Sequence, residues 1–593
     1  MAFQRVRSRL DVLFGIDVRS LALARVLTAA LLLVDLVQRA TDLSAHYGAG
    51  SVFPAELLRS GWRGDWSWSL HLWSGGPMAL VAALFVVQAL VALALLLGYR
   101  TKLATFVSWF LLFSLHNANP LLLYGGDALL RAILFVGMFL PWGEAYAVDR
   151  ALRVRAKASP RVLSGWSAAF LLQIGLLYFS TAALKSGFEW REGSAIYYAL
   201  SLDQYTTSLG ALLPHALRVS EFLTYAVLGL EFGALFLLFS PIFTNPLRLI
   251  ALPMLFLLHL GILLTMHVGL FSPLMIAALV AFVPSDVWNW LEEVLGRRFG
   301  NIAIYYDGEC GFCRSSSLLF HTFLALPRSI VTSAQSDQGI LRDMRAHDSW
   351  VVVDRNGGRH FEFDAFITLA AASPFLFWLV PLFRTRLVSS IGGKVYRFVA
   401  NHRSRTCAPI LETPRRRSIS PVFLNALGIV YVFYVFVWQL NYSPLTQPYI
   451  HLSSWSWWDV PAKALGIDQY WDMFSQSPLD NDAWPIVAGT LRNGEQADLF
   501  RNNAPLSFEK PGSVVSITRN IRWRKFTSNL RFETAMIYRE YYAAYLCRNW
   551  NEKHFDAKHL ETVELISMYE KTPLPYESYV PAEPVSLLNW KCA

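Results

Sequence analysis

The sequence predicts a multi-pass α-helical membrane protein of about nine transmembrane helices, with a soluble α/β domain inserted late in the chain and a small C-terminal α+β domain. Three observations lead to this expectation. Hydrophobic residues make up 54% of the 593 residues and charged residues only 16%, whereas soluble chains carry about 25% charged residues. The apolar residues are gathered into runs long enough to cross about 30 Å of hydrocarbon. Residues 300–412 break that pattern with a soluble composition. A chain of this length also exceeds one domain, and ordinary domain sizes imply about four units.

The apolar runs lie near 18–38, 77–98, 102–118, 127–147, 162–183, 219–240, 247–268 and 270–290, which makes 1–295 an expected eight-helix domain. A ninth run, 420–441, stands alone after the soluble stretch and is followed by a tail, 445–593. The first run is too long for the apolar core of a signal peptide and no small-residue cleavage site follows it, so it reads as a retained anchor. The net charge is +9, but the cations cluster at the ends of apolar runs, as in Arg100 and Lys102, Arg150 to Arg161, Arg297 and Arg298, and Arg415 to Arg417. That distribution follows the positive-inside rule and does not form a phosphate-binding groove. The expected partner is the lipid bilayer, with no nucleic acid. Alternation from a cytoplasmic N-terminus puts 300–412 in the cytoplasm and 445–593 outside.

Within 300–412, Ile302-Ala303-Ile304-Tyr305-Tyr306 reads as a buried strand. Cys310 and Cys313 follow, then a helical pattern through Leu318, Leu319, Phe320 and Phe323. Trp350 to Val353 and His360 to Phe363 flank Asp354-Arg355-Asn356-Gly357-Gly358, a hairpin signal. A strand, a CxxC at a helix start, then a hairpin and helices is a thioredoxin-like arrangement. In the tail, 488–494 alternates like a strand, and helix-like stretches are expected near 529–547 and 552–570.

A CxxC at a helix start suits thiol exchange. The unpaired amides and the helix dipole favour thiolate at the first cysteine, and the two-residue spacing lets the second sulfur attack a mixed disulfide. Cys310 and Cys313 are therefore the candidate catalytic thiols, with Arg314 beside them. The alternative is half of a zinc site, for which His402 and Cys407 are the available further ligands, without metal-type spacing. Cys547 and Cys592 fall outside on this topology, where a disulfide persists if they pair.

Two resemblances follow from these residues. Tyr306-Asp307-Gly308-Glu309-Cys310-Gly311-Phe312-Cys313 resembles the signature of the DCC family of thiol-disulfide oxidoreductases, small thioredoxin-like proteins, over about 300–412. Unlike thioredoxin, the chain has no proline before the strand at Trp350. His116-Asn117-Ala118-Asn119-Pro120, Tyr124-Gly125-Gly126-Asp127, Phe139-Leu140-Pro141-Trp142-Gly143 and the stretch from Gln173 to Gly193 are similar to the HTTM domain. That is the membrane domain shared with vitamin K-dependent γ-glutamyl carboxylase. Tail segments such as 469–474 and 545–550 are similar to those of bacterial fusions of the two families, which implies a bacterial inner (cytoplasmic) membrane. In the carboxylase, a lysine five residues before a tryptophan deprotonates reduced vitamin K, and Lys185 stands so relative to Trp190. The resemblance makes Lys185 a third candidate catalytic residue, against a snorkelling lysine at a helix end. His116 is the histidine nearest the position, at Pro120, that matches the carboxylase histidine.

Ionisable residues inside apolar spans are costly and often functional. Glu231 and His259 are expected either to line a quinone or substrate cavity or to bond between helices. With His116 they form the candidate cofactor-binding set, a quinone being the implied cofactor. Asp127 and Arg131, at i and i+4, are expected to form a structural ion pair. Three functions fit: a membrane-bound thiol-disulfide oxidoreductase, a carboxylase- or epoxidase-like enzyme with an auxiliary redox domain, and a non-catalytic maturation or export factor for a secreted peptide. The corresponding partners are a thiol or disulfide protein and a secreted peptide.

Overall fold

The computed structural model describes residues 2–592 apart from 49, 55–56, 58–67, 74–76, 153–158, 403–419, 445, 451, 453–456, 502 and 575–576. Among the described residues, six helices are long and apolar enough to cross a membrane: α1 (Val18–Ala40), α2 (Met78–Leu97), α5 (Gly165–Leu184), α6 (Leu217–Phe239), α7 (Thr244–Thr265) and α14 (Pro421–Tyr442). Three further helices belong to the bundle: α3 (Thr101–Ala118), α4 (Gly125–Gly137) and α8 (Phe271–Leu279).

These three replace the remaining expected spans. The run near 102–118 is helical, but Lys102, Ser108, Ser114, His116 and Asn117 make it too polar to stand in lipid, and the bundle buries most of it. The run expected over 127–147 stops at Gly137 after 13 residues. There the chain turns through Pro141-Trp142-Gly143, and a Cβ on Gly137 would meet the Trp142 ring at 2.3 Å. The run near 270–290 breaks beside Pro284 into α8 and α9 (Ser285–Phe299), bent by 91°, a seventh crossing only if the broken pair counts as one. Helix α9 ends in Arg297 and Arg298 and leaves Trp290 and Val294 exposed.

The inserted module carries β1 (Ala303–Tyr306), α10 (Gly311–Phe323), β2 (Ile330–Ser333), α11 (Gln338–His347), β3 (Val351–Val353), β4 (Arg359–Phe361) and α12 (Glu362–Ala371). Its sheet runs β2-β1-β3-β4, with β1 and β2 parallel and the other neighbours antiparallel. The expected hairpin is present, closed by Asp354, whose carboxylate accepts from the Asn356 and Gly358 amides. Helix α13 (Arg386–His402) then packs on α12: a Cβ on its Gly392 would meet the Phe363 ring at 2.4 Å.

The tail folds as β5 (Asn481–Leu491), β6 (Gln496–Asp498), β7 (Ala504–Pro505), α15 (Ile521–Asn529), α16 (Met536–Asn551), β8 (Leu560–Lys571) and β9 (Glu583–Lys591). The sheet order is β9-β8-β5-β6-β7. The helix expected over 552–570 is a correction: residues 560–571 form β8, paired antiparallel on both sides. The reason is two-faced burial, which a period of two serves. Val563 and Leu565 face the main core, while Ile566 and Met568 join Trp484, Ile486 and Val514 on the other side. Cys547 and Cys592 form a disulfide that ties the end of the edge strand β9 to α16.

Bundle and tail share one apolar core. Leu112, Leu122 and Ile133 cluster with Trp471, Val487, Trp523 and Leu560. The module has separate small cores, one around Ile304, Val352 and Leu369 and another around Ile340 and Met344.

Candidate functional site

The thiol pair is set by a tight loop. Cys310 is the N-cap of α10, so its side chain stands at the end of the helix that carries unpaired amides. The loop before it is clamped to the turn after β2. Gly308 N donates to Gln335 Oε1 at 2.9 Å, Gln335 Nε2 donates to Asp307 Oδ1 at 2.9 Å, and Glu309 N donates to the same carboxylate at 3.1 Å. A Cβ on Gly308 would lie 2.5 Å from Ser333 Oγ and 2.8 Å from Gln335 Oε1, so a larger residue would displace the side chains that clamp the loop. Asp307-Gly308 therefore positions the cysteines. Cys310 is 5% exposed, while Cys313 is half-buried and lines a cleft of about 120 Å³ with Asp307, Glu309, Gln335, Arg345 and Trp350. Of the further zinc ligands weighed, His402 Nδ1 is bonded to Phe398 O on its own helix at 2.8 Å, and Cys407 lies outside the described residues.

A second constellation sits where the tail enters the bundle. Asp35 accepts from Arg39 Nε at 2.8 Å and from Arg522. Asp127 accepts from Arg39 Nη2 at 2.6 Å, Arg522 Nη1 at 2.6 Å and Arg522 Nη2 at 2.9 Å. All four side chains are buried. The expected Asp127–Arg131 pair is thus corrected. Asp127 turns to two guanidinium groups from other elements, and Arg131 instead donates to Asp468 at 2.8 Å and to Gly466 O at 2.5 Å. His116 Nε2 lies 3.4 Å from Asp127 Oδ1. One ligand atom each from Asp35, His116 and Asp127 fall within 4.8 Å of one another. The two arginines already balance the two carboxylates, which leaves no net negative charge to hold a divalent ion.

Lys185, Glu231 and His259 fall in a different part of the bundle from His116. Lys185 caps the end of α5, where its ammonium is ion-paired with Glu231 and sits 4.6 Å from the centre of the Trp190 ring. Glu189, the acid one turn away in sequence, is not its partner. His259 Nε2 is hydrogen-bonded to Tyr178 Oη at 2.6 Å, an interhelical bond between α5 and α7. Tail residues close over this end of α5: Gly187 N donates to Gln476 O at 2.7 Å, Gln476 N to Leu184 O at 2.8 Å, and Trp190 Nε1 to Phe474 O at 3.1 Å.

The redox module meets the bundle at the opposite end of α5 from Lys185. At the α5 N-terminus, Gly165 N donates to Asn425 Oδ1 of α14 at 2.9 Å, and α14 is the helix that follows the module. The module contacts the same end of the bundle, with α10 against the helical turn Val148–Ala151. Twenty residues of helix separate the ends, about 30 Å.

Sequence reasoning missed Arg39, Arg522 and Gln335. Arg39 carried a signal, being one turn from Asp35 in an apolar run. Arg522 carried none, because its acidic partners are about four hundred residues away in the chain.

Residues 304–408 match the family model described as DCC1-like thiol-disulfide oxidoreductase. No curated protein and no solved structure matches the chain.

Proposed function

We propose that the chain is a membrane-tethered thiol-disulfide oxidoreductase whose redox centre is Cys310 and Cys313. The observation that carries the reading is the CxxC placed at the N-terminus of α10 inside the segment that matches the DCC1-like family. As a reductase, the Cys310 thiolate attacks a partner disulfide, forms one S–S bond and expels one partner thiolate. The Cys313 thiolate then attacks Cys310 Sγ, closes the internal disulfide and releases the second partner thiolate. Two electrons pass to the partner and two protons are taken up by its sulfurs; the reverse sequence oxidises a dithiol. Cys310 holds the position the helix dipole favours, while Cys313 faces the cleft, so attack through Cys310 requires the partner to open the 307–310 loop.

Trapping tests this. Cys313→Ser should accumulate mixed disulfides through Cys310, and Cys310→Ser should abolish them. Adducts confined to Cys310→Ser would reverse the order of the two thiols. About one zinc per chain, bound by both cysteines, would overturn the redox reading.

For residues 1–295 we propose, on the HTTM resemblance, a site that takes a quinone or a secreted peptide. Glu231 and His259 would line it, and His116 would belong to the separate charged cluster around Asp127. The burial of Lys185 beside Trp190 supports the carboxylase-like reading, whereas its contact with Glu231 fits a structural ion pair. Arginine keeps the charge but cannot release its proton. Quinone-dependent oxygen uptake lost in Lys185→Arg would assign the base; equal rates, or none in either protein, would remove it.

A further inference from the structure

Helix α13 has three unlike faces. Val388, Gly392 and Tyr396 turn inward, where Gly392 packs on Phe363 and Tyr396 Oη donates to Ser349 Oγ at 3.1 Å. Leu387, Ile391, Val395 and Phe398 fall within an arc of about 80° at 100° per residue, and all four are exposed, Leu387 at 71% and Phe398 at 65%. The next arc carries Arg386, Lys394 and Arg397. Phe375 and Trp378, just before the helix, are each 64% exposed. So large an apolar stripe on a soluble module calls for a covering surface.

What lies on either side of the stripe identifies the cover. Upstream, α9 turns by 91° from the preceding helix, with exposed Trp290 and terminal arginines, the features of a helix lying along a bilayer. The module touches α9 beside Trp378. Phe377 packs on Phe299 with ring centres 5.2 Å apart and the rings tilted by 49°, and the Arg298 guanidinium sits 5.0 Å from the centre of the Phe377 ring. Downstream, the chain enters the apolar helix α14 at Pro421. No Asp or Glu occurs between Asp364 and Glu412, so the charges this segment carries are all basic and suit anionic headgroups.

We propose that α13, with Phe375 and Trp378, lies on the lipid headgroup surface and clamps the redox module to the membrane. The apolar stripe enters the interface, and Arg386, Lys394 and Arg397 face the phosphates. The inference is independent of the thiol chemistry. It fixes the module at two places, α9 and α13, so the cleft beside Cys313 is held at a set height above the bilayer.

The test uses the full chain in nanodiscs of phosphatidylcholine and phosphatidylglycerol, with a photoreactive benzoylphenylalanine placed at Ile391, Phe398 or, as control, Asn356 at the exposed hairpin tip. These side chains are exposed or partly so, and their replacement breaks no core. Irradiation should give lipid adducts by intact mass at 391 and 398, with none above background at 356. Adding Leu387→Asp and Val395→Asp should abolish the adduct at 391. Crosslinks to a second copy of the chain, or lipid adducts equal at 356 and 398, would overturn the proposal, as would their absence at all three positions.

Discussion

The redox module and the C-terminal domain are both water-soluble in composition, yet they are joined to the bundle in different ways. The module closes its own small cores around Ile304 and around Ile340, and its contacts with the bundle run through Phe377, Arg298 and the turn at 148–151. The tail keeps a small cluster of its own around Trp484 and Ile566, but most of its apolar residues belong to the bundle's core. Trp471, Trp523 and Leu560 complete the bundle's own core, and Arg522 supplies half of the positive charge that Asp35 and Asp127 require. The module is an appended device, whereas the tail is structural material of the membrane domain that happens to come last in the chain.

The comparison is broken most directly at Arg522. Arg522→Ala leaves two buried carboxylates against one guanidinium, and loss of one partner of a buried pair costs about 3–5 kcal/mol. The expected result is a large fall in the melting temperature of bundle and tail together, by thermal unfolding in detergent; a tail that melts alone would show the two to be separable. Next in size, Ile304→Ala in the module core should cost about 2–5 kcal/mol. Hydrogen exchange should quicken in β1 to β4 with the bundle unchanged, and exchange rising equally in α4 would contradict the module's independence.

Replacing Cys547 and Cys592 by serine should cost about 2–4 kcal/mol through the opened loop of 45 residues. Faster exchange is expected first in β9, while mixed-disulfide trapping at Cys310 should be unaltered.

The smallest effect concerns pH. Burial works against the charged form of His360, but its hydrogen bonds to Asp364 at 2.6 Å and Asp354 at 3.1 Å outweigh it and raise its pKa. A histidine raised on folding contributes stability in full below its unfolded pKa of about 6.5 and loses it as pH rises through the folded value. The pair is partly exposed, so screening holds the contribution below about 1 kcal/mol. Denaturation followed in the module should be slightly easier at pH 8 than at pH 6, and His360→Gln should flatten that dependence; an unchanged slope would exclude the pair as its source.

Much of the module was legible in the sequence because its signals are local. The Asp307-Gly308 turn, the CxxC and the Asp354 to Gly358 turn each lie within a few residues of what they shape. The bundle was less so. Apolar length alone does not separate α3 and α4, which are sheltered among other helices, from α6 and α7, which face outward. Strand β8 was misread because its alternation is diluted by burial on both faces. The ion pairs were hidden for a different reason: Asp127 lies four residues from Arg131, but its binding partners come from α1 and α15.

The insertion of Arg522 also gives the protein an order of manufacture. Asp35 and Asp127 emerge early in synthesis and Arg522 nearly four hundred residues after the second of them. Until then the helices that carry the two aspartates have only Arg39 between them. A chain that stops within the redox module therefore carries the two buried aspartates without their second guanidinium. The charge balance inside the bundle is thus completed only when the tail has been made.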